Sequence, residues 1–131
     1  MVKLNNILFV VFALSVPTKA IDIIITEAQQ DYFHEVACAS NSKALIVIFS
    51  SDSEKFSDEI SELTKLSNES HVRAIVAGFK AGKTENQVAQ FIELQAGNMF
   101  KANTKFIAKR GFDEFHKGAV SGLFALCSTV K

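Results

Sequence analysis

The chain has 131 residues, with 14 basic and 14 acidic side chains that leave it formally neutral at pH 7. A neutral chain lacks the field that gathers nucleic acid or anionic membrane, and it does not resemble a cationic lytic peptide. Its length suits one domain with a modest core.

The first six residues carry one charge, Lys3, and no acid. Ile7 to Val16 then form an apolar run that Pro17 ends, and Thr18-Lys19-Ala20 follows. This is the pattern of a secretory signal peptide with cleavage after Ala20. The run is about half of the roughly 20 residues that a membrane anchor needs. Residues 1–20 are therefore expected to be removed, leaving residues 21–131 as a secreted, extracellular domain. That domain keeps all 14 acids and loses Lys3 and Lys19, so its net charge is −2.

The only proline lies in the signal, so the domain lacks the Pro/Gly-rich turns of a sandwich or barrel, and its helices can run long. Thr26 is placed to cap a first helix on which Tyr32, Phe33, Val36 and Ala37 form an apolar stripe. Cys38 falls near its end, and Asn41-Ser42 reads as a break. Ala44 to Phe49, ALIVIF, is too short for periodicity to assign. A helix buried on all sides fits its helical neighbours best. A strand paired with Ile23–Ile25 or Val72–Val76 would make a small α/β domain instead.

Ser51-Asp52-Ser53-Glu54 resembles a helix start, followed by Phe56, Ile60, Leu63 and Leu66 on one face. That helix is expected to end near Ser67-Asn68. Ser70 then caps a short helix that groups Val72, Ile75, Val76 and Phe79 and stops at Gly82. Thr84 with Gln87 forms a capping box for a helix reaching about Arg110. Val88, Phe91, Ile92, Met99 and Phe106 share its apolar stripe, with Gln95 and Asn103 on the same side. Gly97 weakens its middle and suggests a kink or a close approach. Gly111 stops it, and Asp113 opens a last helix ending near Cys127. Gly118 to Gly122 offer that helix a small-residue face for a close neighbour.

Two cysteines in a secreted chain read as one disulfide, Cys38–Cys127. Closing so long a loop stabilises by about 4–5 kcal/mol in the chain-entropy model. An intermolecular bridge is the alternative.

Several motifs fall short of their chemistry. Gly78 to Thr84 has three residues between its glycines where a phosphate-binding loop needs four, so it reads as a helix stop and a cap. His34-Glu35-Val36-Ala37-Cys38 places a cysteine where a zinc protease needs its second histidine. His34, His71 and His116 are scattered, and the pairs Asp58-Glu59 and Asp113-Glu114 sit where caps are expected. Neither a cofactor nor a catalytic set is expected. Asn68-Glu69-Ser70 is an N-glycosylation sequon in an expected exposed turn.

The expectation is an all-α bundle of four to six helices with one disulfide, acting without catalysis by binding a partner protein at an exposed helix face. The second expectation is a carrier of a small hydrophobic or lipid-like ligand. Ten of the twelve phenylalanines lie in the mature domain. They would line its cavity, and Gln95, Asn103, Phe91 and Met99 would touch the ligand.

Overall fold

The computed structural model describes residues 26–127. The expected signal peptide, the Ile23–Ile25 segment and residues 128–131 lie outside the described residues. Four α-helices follow in order: α1 (Glu27–Phe49), α2 (Ser57–Lys80), α3 (Glu85–Arg110) and α4 (Phe112–Cys127). A short 3-10 turn, Ser50–Asp52, follows α1. The described residues contain no strand, so ALIVIF is helix and the α/β alternative falls away.

Two capping boxes set the starts of α1 and α3. Thr26 accepts from the Gln29 amide while the Gln29 side chain accepts from the Thr26 amide, and Thr84 with Gln87 repeats the arrangement. Gly82 (φ 85°) and Gly111 (φ 94°) take the left-handed region that ends α2 and α3, where a Cβ would be strained.

Three expected helix boundaries shift or vanish. Asn41 and Ser42 lie inside α1, where Asn41 Nδ2 donates to Ala37 O (2.8 Å) and Ser42 Oγ to Cys38 O (2.7 Å). These side chains satisfy themselves one turn back and leave the helix ladder running. Ser51 and Asp52 belong to the 3-10 turn and Ser53 and Glu54 to the turn that follows it, and α2 begins only at Ser57. The helices expected on either side of Ser67-Ser70 are one continuous α2, with Ser67 and Ser70 buried. Ser70 Oγ accepts from Arg73 Nη2 (3.2 Å), and Arg73 Nε reaches Glu35 Oε1 on α1 (3.0 Å).

The core has two parts. One joins Leu45, Phe49, Phe56, Leu63, Phe115 and Leu123 around the Cys38–Cys127 disulfide. The bridged Cα atoms are 5.9 Å apart, within the ordinary range, and they tie α4 to the middle of α1. The other part joins Tyr32, Val36, Ala39, Ala74, Ala77, Val88 and Ile92. Gly78 belongs there: a Cβ on it would come within 2.5 Å of Val88 Cγ2 and 3.3 Å of Tyr32. The close approach expected of Gly97 and of Gly118–Gly122 is not made, since a Cβ on Gly97, Gly118 or Gly122 meets nothing within 4 Å.

Candidate functional site

The site follows from the central place of α1. The last turns of this helix, residues 44–49, are apolar on every side. Such a segment is expected to be covered on every side. Cys38, Leu45 and Phe49 fall on one face and meet α4 and the start of α2. Val47 lies about 180° from Cys38 at 100° per residue. It is left 58% exposed.

Val47 stands in an open groove of about 570 Å3. Lys43, Ala44 and Ile46 of α1 line it with Val47. Thr64, Ser67 and Asn68 of α2 make one wall, and Glu93, Ala96, Gly97 and Phe100 of α3 make the other. The lining is mostly apolar and small. Lys43 and Glu93 form an ion pair from α1 to α3 at its edge. Both are solvent-accessible, so the pair contributes under about 1 kcal/mol, but it leaves the groove edge with no unpaired charge of its own.

Beside the groove runs a ridge on α2. Val72, Val76 and Phe79 are 61%, 50% and 57% exposed. They lie within about 60° of arc, opposite the buried Ser70, Ala74, Ala77 and Gly78. The small residues turn inward because α1 packs along that face and Val88 of α3 closes on Gly78, and this closeness leaves the larger side chains outside. Asn68 lies one turn before Val72, on the border between groove and ridge.

The residues expected to touch a carried ligand are placed as follows. Gln95, Met99 and Asn103 are half-buried on α3, and none of them lines the groove. Phe91 stacks on Tyr32 (ring centres 6.0 Å apart) and meets Phe33 edge-on. Phe49, Phe56, Phe112 and His116 form a second ring cluster around the base of α4. Phenylalanines thus serve packing at both ends of α1, and the groove holds one of them, Phe100. The sequon lies inside α2: Asn68 is exposed, but Ser70 is fully buried, so the site is not the inter-helix turn expected for it.

His34 Nε2 lies 3.7 Å from Cys38 Sγ, which is already bridged. His116 Nε2 meets Glu59 Oε2 at 3.3 Å, linking α4 to α2, while its ring stacks on Phe112. Asp58-Glu59 and Asp113-Glu114 occupy the first turns of α2 and α4, where carboxylates complement the helix dipole. Among the described residues, no three His, Cys, Asp or Glu side chains converge as a metal site. No helix among them is long and apolar enough to cross a membrane. Burial raises the Tyr32 phenol above its ordinary value of 10.0.

Sequence reasoning grouped Val72, Ile75, Val76 and Phe79, of which Ile75 packs against the core and the other three are exposed, and it did not single out Val47 or Phe100 as exposed. The available signal was the all-round apolarity of residues 44–49 at the end of α1, which its neighbours leave open at Val47. No protein-family model, no curated protein and no solved structure matches the chain.

Proposed function

We propose that this is a secreted, non-enzymatic binding protein that recognises a partner protein through the outer face of α2. The observation that carries this reading is the ridge of Val72, Val76 and Phe79, uncovered on the side of α2 away from the core. Contiguous apolar surface of this kind is what partner recognition uses, and single scattered exposed side chains do not resemble it. The adjoining groove supports the same reading, because a ridge beside a groove lets a partner engage both. Secretion rests on the Ile7–Val16 apolar run with Thr18-Lys19-Ala20, and the buried disulfide suits an oxidising compartment.

A photo-crosslinking residue at position 76, in the chain secreted by its own source, tests this. The expected result is a discrete adduct with an extracellular protein, absent when the same group replaces exposed Glu62. Equal labelling from both positions would defeat the reading.

A second reading keeps the carrier. The groove volume lies in the range of small-ligand sites, and its lining is apolar with hydroxyl and amide groups at the edge. Its ligand would touch Val47, Asn68 and Phe100 rather than Gln95 and Asn103. Binding of a fluorescent fatty acid that is lost in Val47→Lys would support it, and absence of binding to folded wild type would remove it.

A further inference from the structure

We infer that the partner the groove and ridge fit is a second copy of this chain, in a two-fold dimer in which the ridge of each copy fills the groove of the other. The inference deepens the proposed binding role and rests on the same surface.

The first argument is shape. A groove cannot fill a groove, and one ridge against another leaves both grooves empty. Here a convex apolar ridge and a concave apolar groove lie side by side on one face, with Asn68 at their border. A two-fold axis duplicates every contact, so a surface that carries both halves can satisfy itself.

The second argument is register. Consider a two-fold axis level with Ser70 that runs α2 antiparallel to its copy. Val76 then stands about 9 Å along the helix from the axis, at the level of the second copy's Thr64. Thr64 lies in the wall of the groove, and Val72 falls at the level of Asn68 in the same wall. With the axis at that level Val72 and Val76 reach the groove wall, and Phe79 stands beyond it, level with Ser61 of the second copy.

The third argument is charge. The ridge side chains are uncharged, and the one cation and one carboxylate that line the groove are already paired, Lys43 with Glu93. An apolar occupant leaves neither of them without its partner. The −2 net charge of the mature chain adds little repulsion between copies.

The fourth argument is extent. Counting groove and ridge on both copies brings five of the seven large exposed apolar side chains among the described residues into one contact: Val47, Val72, Val76, Phe79 and Phe100. Only Leu94 and Phe106 lie elsewhere. Gly97 contributes by absence, since nothing stands above it within 4 Å and an incoming side chain can settle there.

The test is sedimentation of the chain secreted into a bacterial periplasm, where the disulfide forms and no glycan is added at Asn68. Wild type is expected to be dimeric at tens of micromolar. Val76→Glu on the ridge and Val47→Lys in the groove should each weaken self-association by more than about tenfold. Both positions are exposed, so both variants should fold, which far-ultraviolet circular dichroism checks. An equimolar mixture of the two variants should dimerise again. One of its two contacts is intact, and in the other the introduced carboxylate meets the introduced ammonium across the interface. A monomeric wild type, a dimer that survives both substitutions, or a mixture that stays monomeric each overturns the inference. If wild type is monomeric while position 76 still crosslinks a different extracellular protein, the dimer fails and the binding role stands.

Discussion

At the Phe49 end of α1 the interior is filled by rings, and at the Tyr32 end, beside the smaller Tyr32–Phe33–Phe91 group, it is made by leaving side chains out. Phe49 lies 5.0 Å from Phe56 and 6.1 Å from Phe112, centre to centre, with His116 set edge-on beside it. Near Tyr32 the helices instead close over Ala39, Ala74, Ala77 and Gly78. The ring end gathers residues from distant parts of the chain, since α4 must return to α1 across the whole of α2 and α3. The small-residue end joins α1, α2 and α3, and the tight turn from α2 to α3 lies beside it. A long return costs more loop entropy than a short turn, and the disulfide fastens the returning α4 to the middle of α1. Close approach needs no such staple, but it tolerates no added atoms.

The disulfide offers the largest break in this comparison. Replacing Cys38 and Cys127 by serine should destabilise the fold by about 4–5 kcal/mol, because 89 residues separate them. Hydrogen exchange should then quicken first along 112–127, while the amides around Val36 stay protected. Uniform loss of protection would show that the two ends are not separable.

Phe49→Ala tests the ring end directly. Phe49 is fully buried and touches three other rings, so a loss of about 3–5 kcal/mol in urea unfolding is expected. A loss below about 1 kcal/mol would mean that the ring end collapses freely around the gap.

Two glycines sharpen the contrast with one substitution each. Gly78→Ala gains about 1 kcal/mol of helix propensity, yet it drives a methyl into the stiff, buried Val88. The overpacking cost of about 1–3 kcal/mol should prevail, for a net loss of about 1 kcal/mol. Gly97→Ala meets nothing and should stabilise the monomer by about 0.5–1 kcal/mol. Thermal unfolding of the pair should therefore move in opposite directions, and a common sign would refute the packing account.

The smallest effect concerns Tyr32. Burial raises its pKa above 10.0 in the folded chain, so folding favours the protonated phenol. That stability is fully present below pH 10.0 and is lost as pH rises through the folded value. Unfolding midpoints should fall on the alkaline side in wild type and fall less in Tyr32→Phe. Identical alkaline slopes would separate the phenol from the fold.

Local chemistry determined much of this protein. Thr26 with Gln29 and Thr84 with Gln87 mark two helix starts, because a hydroxyl and an amide three residues apart satisfy each other wherever the chain lies. Gly82 and Gly111 mark two ends through backbone freedom alone. The two cysteines had one intramolecular pairing open to them, and the structure makes it. What local chemistry could not determine is whether Asn41-Ser42 and Ser67-Ser70 break a helix or run through it. Their side chains can cap a new helix or bond back one turn, and the two outcomes differ locally by little. Burial of Ser42, Ser67 and Ser70 against neighbouring helices decided for continuity. The same cause placed the candidate site. Val72, Val76 and Phe79 are more hydrophobic than Ala74, Ala77 and Gly78, yet only the smaller set lets α2, α1 and α3 approach within packing distance. Which face of α2 turns inward is a property of three helices together, and so is the surface left outside for a partner.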